Sequence, residues 1–284
     1  MYRATVKDRT QLVPFPEAND LQTRIARAFS LVTDWNAALN GHYNIQEVID
    51  VASRQFESLN VSLFRLRAGR AWPIASACRQ LDGLKPRVSS GAIASYVQNN
   101  HAEALDPGSI WRLTELREEA GFAGSPAHKE YADRPDIVEV STIVLEASDG
   151  AIDCLEVTFD RPPNRHPDLP SSIVTQALAD SWAARSPGLI SRAIRSYGRA
   201  RGRTGVANDN VDILGPHNPF GLSRAEQRVC QMIADGQKAK EIADALGVSL
   251  ATVRSHMHKI YAKTGTSGQV ELVVLVAEAK GGAE

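Results

Sequence analysis

Near its C-terminal end the chain carries two helix caps and two glycine turns within a short distance. Ser223, followed three residues later by Glu226, is a capping box, and Ser249 is a second capping residue. Gly236 and Gly247 suit the left-handed backbone that ends a helix. Apolar residues recur between these signals at helical spacing. The pattern predicts three short helices, joined by tight turns, that pack around one small core.

The third of these helices, which begins after Ser249, divides into distinct faces at about 100° per residue. Its apolar side holds Val253, Met257 and Ile260. The opposite side holds small residues and hydrogen-bond donors, namely Ala251, Arg254, Ser255, His258 and Ala262. Between the two lie Thr252, His256, Lys259 and Lys263. A helix that enters the major groove needs this division, because its outward face reads base edges and its flanks hold phosphates. For this helix taken alone, an ordinary amphipathic helix with solvated charges is the alternative.

The stretch from Phe220 to Ala279 resembles the C-terminal DNA-binding domain of the LuxR/NarL/GerE class of bacterial transcription regulators. The matching residues are Leu222, Ser223, Glu226, Val229, Ile233, Ala234, Gly236, Lys240 to Ala243, Leu246 to Ser249, Thr252, Val253, His256, Ile260, Tyr261, Lys263 and Gly265. The resemblance implies an all-α, four-helix helix-turn-helix domain. Two positions depart from the family pattern. Gln237 or Lys238 stands where a small capping residue is usual at the start of the second helix. Ser267-Gly268-Gln269 replaces the Ser-Ser-Arg run before the fourth helix, so one phosphate contact of the family is missing.

The same resemblance implies roles for individual residues. Base contacts are implied for Arg254, Ser255 and His258. Phosphate contacts are implied for Lys240, Thr252 and Lys259. The fourth helix often supplies a dimer contact in this class. Val273 and Val276 lie three residues apart in the apolar run of that helix, so we expect this run to pair across a two-fold axis.

The composition leaves room for a second domain and argues against several classes of protein. At 284 residues, with 43% apolar residues and a net charge of −1, the chain is long enough for two cores, and any basic surface must be local. The three cysteines lack paired spacing, which favours buried thiols. Neither a membrane-length apolar run nor a signal core is present in the sequence, so we expect a cytoplasmic protein. Without a phosphate loop, a metal motif or a catalytic constellation, we expect no cofactor, no metal and no enzyme activity.

The pattern before residue 183 favours an α+β domain with an antiparallel sheet and flanking helices. A helix capped by Asp20 and ended by Gly41, with Phe29 on its apolar face, precedes a second helix at about 45–59 that carries Phe56. Alternating strands are predicted at 60–67, 71–78, 137–147 and 151–159, with Asp149-Gly150 as a hairpin turn and Pro73 marking an edge. Helices are predicted at 91–99 and 171–184. This order of elements is similar to a GAF- or PAS-like sensor domain.

These patterns divide the chain into a regulatory domain at 1–182, a basic helix with a flexible linker at 183–218, and a DNA-binding domain at 219–284. Residues 185–203 hold six arginines and no acid around an apolar stripe. They form either a solvated helix that links the domains or a helix that also attracts DNA. The stretch 204–219 is predicted to be a flexible linker.

Four residues invite a comparison with acyl-homoserine-lactone receptors, which use Trp, Tyr, Asp-Pro and Trp. Trp72, Tyr96, Asp106 and Trp111 occur in that order, but at different spacing, so we interpret both tryptophans as core aromatics. The sequence therefore favours a dimeric, sequence-specific regulator of transcription that binds double-stranded DNA. Its N-terminal domain senses an unidentified small-molecule effector or, alternatively, serves only dimerisation or docking on a partner such as RNA polymerase.

Overall fold

The computed structural model describes residues 16–79, 89–148, 150–163, 171–202, 213–215 and 218–281. Helices and strands of the N-terminal part alternate in small groups: α1 Pro16–Leu39, α2 Ile45–Gln55, β1 Asn60–Arg67, β2 Arg70–Cys78, α3 Ala92–Asn100, β3 Ile110–Arg112, α4 Leu113–Leu116, α5 Pro126–Ala132, β4 Glu139–Ser148, β5 Ala151–Phe159, α6 Ser171–Ala183 and α7 Leu189–Gly202. The C-terminal part is helical: α8 Arg224–Ala234, α9 Ala239–Leu246, α10 Leu250–Thr264 and α11 Gln269–Gly281.

The five strands form one antiparallel sheet in the order β2-β1-β5-β4-β3, with helices on both faces. Alternate residues along each strand face opposite layers. Leu63 and Leu155 pack with α1, α2, α6 and α7, whereas Phe64 and Cys154 face the layer that holds α3 and α5. The expected α+β domain with an antiparallel sheet and flanking helices is confirmed.

The paired strands follow the sequence pattern closely. The hairpin of β1 and β2 turns through Ala68 and Gly69, which both have positive φ. Pro73 lies in β2, which is at the edge of the described sheet, as expected. Strands β4 and β5 pair across the predicted turn; Gly150 has φ of +72°, while Asp149 lies outside the described residues.

Several helix predictions were wrong in detail. The first helix begins at Pro16 and not after Asp20, and Phe29 is 69% exposed because the buried side of α1 is formed by Leu31, Trp35 and Ala38. The second helix ends at Gln55, which leaves Phe56 at the surface. Helix α5 was not predicted; it begins at Ser125, whose side chain accepts a hydrogen bond from the His128 amide, with Pro126 in the first turn.

The basic helix belongs to the core of the N-terminal domain and does not stand free. In α7, Leu189, Ile190 and Ile194 are buried in the same cluster as Trp35 and Trp182. The apolar stripe read from the sequence is therefore correct, but its partner is the sheet and its helices. The N-terminal core extends past the expected boundary at residue 182.

The C-terminal domain has its own core, and part of the expected linker lies in it. Val229, Ile233, Ile242, Val253, Ile260 and Leu272 are buried together there. Ile213 is buried in this cluster, and the Asn218 side chain accepts a hydrogen bond from the Leu222 amide and donates one to the Leu222 carbonyl. The segment just before the domain is thus packed at Ile213 and Asn218, while the rest of the linker expected at 204–219 lies largely outside the described residues. In the part of the chain that the structure describes, every helix is too short or too polar to cross a membrane.

Candidate nucleic-acid interface

The first helix of the C-terminal domain is fixed at both ends. The Ser223 side chain accepts from the Glu226 amide, and the Glu226 carboxylate accepts from the Ser223 amide at 2.8 Å, which completes the predicted capping box. Glu226 also accepts from Lys263 Nζ of α10 at 2.7 Å. Burial by itself would raise the pKa of Glu226, but the hydrogen bonds from Lys263 and Ser223 outweigh it and lower the pKa below its ordinary value. One carboxylate therefore caps α8 and holds the end of α10 against it.

The turn between α9 and α10 sets the angle of the helix-turn-helix. Glu241 accepts from the Lys238 amide at 2.8 Å, so the box at the start of α9 is made by the glutamate, since a lysine side chain has no acceptor. At the other end Gly247 has φ of +65° with open space around it. Ser249 then caps α10 by accepting from the Thr252 amide at 3.1 Å. The departure at Lys238 thus leaves the helix start intact.

Helix α10 presents the faces expected from its sequence. Val253 and Ile260 are fully buried against α8 and α9, while Met257 is partly buried. Arg254, Ser255 and His258 are exposed together on the outward side. His256 lies between the two sides, half-buried, and its Nδ1 has no hydrogen-bond partner. The outward face can therefore accept a flat, polar surface without any change in the core.

The residues expected to contact phosphate are also exposed. Thr252 and Lys259 lie on α10, and Lys240 lies in the first turn of α9. The exposed apolar side chains of Val248 and Leu250 stand at the start of α10. Periodicity did not single out these two, because one lies in the turn and the other in the first turn of the helix. Beside a polar reading face, such side chains can contact thymine methyl groups.

The expected pairing run on α11 is divided between core and surface. Val276 is 1% exposed and Val273 is partly buried, and both pack with the core of the domain. Val270 and Val274 are 79% and 48% exposed. They are four residues apart and therefore share one side of the helix. Val276 is therefore part of the core of the domain, and the exposed apolar side of α11 is formed by Val270 and Val274.

The C-terminal end of α10 is docked on the N-terminal domain. The buried Ser191 of α7 donates a hydrogen bond from Oγ to the carbonyl oxygen of Lys263. Gly188 and Gly265, both with positive φ, lie backbone to backbone: a Cβ on Gly265 would stand 2.6 Å from the Gly188 carbonyl oxygen. The contact uses the end of α10 opposite to Ser249 and leaves Arg254 exposed.

The aromatic residues compared with lactone receptors do not form one site. Trp72 is buried in the layer with α1 and α2, whereas Tyr96 lies in the layer with α3 and α5, on the other side of the sheet. Trp111 packs against the cluster that contains Tyr96, and its ring centroid lies 4.9 Å from that of His101. The interpretation of both tryptophans as packing residues agrees with these positions.

One buried polar group lies beneath α5. Glu156 is almost fully buried on β5, where Thr142 Oγ1 donates to it at 3.2 Å. Burial raises the pKa of Glu156 to about 7, against the effect of hydrogen bonds from Ser89, Thr142 and Tyr131, and the nearby Glu130 raises it further. Glu156 is therefore close to half-ionised at neutral pH.

Comparison with known proteins matches the C-terminal helical domain to a known family. Residues 221–276 match the model of a family described as bacterial regulatory proteins, luxR family. Relatives from Staphylococcus aureus strains, described as oxygen regulatory protein NreC, are 41% identical over 69 residues, which is 24% of this chain and 32% of theirs. The chain thus spans about a third of the length of these curated relatives.

Solved structures similar to the chain lie at low identity. The crystal structure of Escherichia coli SdiA covers 92% of this chain and 99% of its own, with a TM-score of 0.34 and 14% identity. A GAF domain from an Acinetobacter phosphoenolpyruvate-protein phosphotransferase covers 60% of this chain and 94% of its own, with a TM-score of 0.37 and 13% identity. Similarity at this level establishes no shared ligand.

Proposed function

We propose that this chain, whose residues 221–276 form a helix-turn-helix domain of the luxR family of bacterial regulatory proteins, is a sequence-specific DNA-binding regulator of transcription. The observation that supports this most is the outward face of α10. Its polar residues are exposed while the opposite side of the same helix is the centre of a core. The domain also docks through the far end of α10, so the face is free in the docked molecule.

In this proposal, Arg254 reads bases from the centre of the outward face. A guanidinium there can donate two hydrogen bonds to O6 and N7 of one guanine. Ser255 and His258 flank it on the same exposed side and contact neighbouring base edges. Lys240, Thr252 and Lys259 hold phosphates on either side of the groove and fix the orientation of the helix.

The proposed assembly is a dimer on DNA. Val270 and Val274 form an exposed apolar stripe on α11, and a two-fold axis beside this stripe pairs two copies through the same surface. The two copies of α10 then enter successive major grooves, at half-sites about one helical turn apart. The N-terminal domain modulates this assembly, because it holds the end of α10 through Ser191 and Gly188.

The proposal is tested by replacing a residue that contacts bases and, separately, a residue that contacts phosphates. Arg254→Ala should weaken binding to the specific operator by about 1–3 kcal/mol and relax the preference at one base pair. Lys259→Ala should weaken binding to all sequences alike and reduce the salt slope by about one unit. The measurement is a titration of each variant on the operator and on a scrambled duplex at several salt concentrations.

Arg117→Ala, which removes an exposed charge from the N-terminal domain, is the matched control. It should leave both duplexes unaffected. If Arg254→Ala lost affinity equally on both duplexes, α10 would not read bases through this face, and the assigned roles would be wrong.

A further inference from the structure

A cavity of about 330 Å³ lies between the two domains. One wall is the end of the sheet, where β1 and β4 finish. A second wall is the connection from α6 to α7 together with the first turn of α7. The third wall belongs to the C-terminal domain and consists of Phe220, Gly221 and the last turn of α10. Both domains must be docked for this cavity, which is open to solvent on one side, to have all three walls.

Four cationic side chains line the cavity, and three of them have a carboxylate. Arg65 donates two hydrogen bonds to Asp153, at 2.7 and 2.8 Å. Arg185 lies 2.6 Å from Glu146. The third, Lys263, binds Glu226 within the C-terminal domain. These pairs fix the geometry of the walls and neutralise three of the four charges.

The fourth cation, Arg67, has no such partner in the part of the chain that the structure describes. Among the described residues, no carboxylate lies within ion-pair distance of its guanidinium, although the side chain is half-buried. Its Nη1 would stand 2.8 Å from a Cβ on Gly221, so the absence of a side chain at Gly221 makes room for the guanidinium. A half-buried charge without a partner has lost part of its hydration, and a ligand of opposite charge offsets that loss.

We propose that this cavity binds a small oxyanion, a carboxylate or phosphate group on a short carbon skeleton, with Arg67 as its principal ligand. The planar guanidinium matches the two oxygens of either group. The volume corresponds to about eleven water molecules at about 30 Å³ each. That is room for the anionic group and a short carbon skeleton.

A ligand held there touches the N-terminal and C-terminal domains at once. It binds the docked arrangement more tightly than the undocked one, because the wall formed by Gly221 and Lys263 is present only when the domains are in contact. The site is therefore an effector site for the docked state. Binding of the anion is separate from DNA binding and can be measured without DNA.

The test is isothermal titration of the full chain with inorganic phosphate, glycerol 3-phosphate and succinate, at constant ionic strength adjusted with sodium chloride. We expect saturable binding of one molecule per chain for at least one probe. Arg67→Gln should weaken that binding at least about tenfold, the loss expected for a pair of charge-assisted hydrogen bonds. Arg67→Lys keeps the positive charge but lacks the paired N–H donors of the guanidinium, and it should weaken binding less than Arg67→Gln does. Arg117→Gln, an exposed arginine outside the cavity, should leave it unchanged.

Binding of the phosphates and not of succinate identifies a phosphate site, and the reverse identifies a carboxylate site. No saturable binding of any probe overturns the proposal, and so does binding that Arg67→Gln leaves unchanged. The melting temperature of each variant without probe checks the fold. We expect Arg67→Gln to be as stable as the parent or more so, since it removes an unpartnered charge.

Discussion

At the scale of single residues, Glu156 links stability to pH. Its pKa is raised in the folded protein from 4.5 to about 7, so the folded state binds the proton more tightly than the unfolded state does. The resulting stabilisation is complete below about pH 4.5 and is lost as the pH rises through 7. The shift corresponds to about 3 kcal/mol. We expect Glu156→Gln to remove this loss and to unfold at higher urea than the parent at pH 8.

The measurement is urea denaturation at pH 5 and pH 8, followed by tryptophan fluorescence. Glu118→Gln, which changes an exposed carboxyl, is the control and should keep the pH dependence of the parent. All carboxyls of the chain contribute to the absolute curves, so the quantity to compare is the difference between variant and parent. If that difference were the same at both pH values, Glu156 would not titrate between them.

Alanine substitutions at two glycines that share one backbone conformation can distinguish local backbone strain from the loss of domain docking. Gly247 and Gly265 both follow a helix with φ near +65°, but only Gly265 touches the other domain, through Gly188. Alanine at either position adds about 1–2 kcal/mol of local strain within the C-terminal domain. We expect Gly265→Ala to displace the docked domain as well, since the new Cβ would lie 2.6 Å from the Gly188 carbonyl oxygen.

Tryptophan fluorescence reports the unfolding of the N-terminal domain separately from that of the C-terminal domain. All four tryptophans, Trp35, Trp72, Trp111 and Trp182, lie in the N-terminal domain, so their fluorescence follows its unfolding. We expect Gly265→Ala to lower the melting temperature seen by fluorescence and Gly247→Ala to leave it in place. Equal effects of the two variants would mean that docking contributes nothing to the stability of the N-terminal domain.

The residues of the candidate interface differ in how far sequence could predict them. The exposed side of α10 follows from the helical period alone, because Val253 and Ile260 must face the core and Arg254 must then point away. The buried position of Val276 was not predicted, since the uninterrupted apolar run 272–277 gives no period that separates core from surface. The cavity around Arg67 was beyond prediction, because its walls join residues about 200 positions apart in the chain.

At the scale of elements, α11 carries both a core side and a free side. Val274→Glu places a charge on the free side, so we expect a folded domain that binds a palindromic operator without cooperativity between half-sites. Val276→Glu buries an unpaired charge in the core and should cost about 3 kcal/mol or more of stability. Binding isotherms and thermal melts of both variants check the two effects.

Val274→Ala trims the same side chain without adding charge and should weaken cooperativity less than Val274→Glu. A Val274→Glu protein that still bound cooperatively would show that the copies pair elsewhere, for example through the N-terminal domain.

Elements with strong local signals were predictable, and those defined by packing were not. The capping box at Ser223, the cap at Ser249 and the turn at Gly247 each specify the backbone within four residues, so the helices of the C-terminal domain lie where expected. Helix α5 has only seven residues and too few apolar positions to show a period. Ile213 stands among linker-like residues, and only its contacts with the C-terminal core reveal its role.

At the scale of the whole molecule, the docked arrangement holds the C-terminal domain without covering its proposed reading face. Ser191 and Gly188 contact the last turn of α10 and its cap, and the charges of Arg192 and Arg195 on α7 act on Glu271 at the start of α11. Hydrogen bonds from Ser267 lower the pKa of Glu271, and the positive charges of Arg195 and Arg192 lower it further. These contacts favour an N-terminal domain that positions the reading helix over one that blocks it.

This arrangement leads to a comparison of the full chain with the fragment 213–284, which keeps Ile213 in its core. An N-terminal domain that positions two copies lowers the entropy lost when the second half-site is bound. We therefore expect the fragment to bind a palindromic operator about 5–150-fold more weakly than the full chain, the range of a coupling of about 1–3 kcal/mol, and without cooperativity. On a single half-site the two should bind alike, since α10 is exposed in both. Tighter binding by the fragment would mean that docking represses DNA binding. Equal affinity and cooperativity on the palindrome would contradict both forms of control and leave the N-terminal domain as a docking module for a partner such as RNA polymerase.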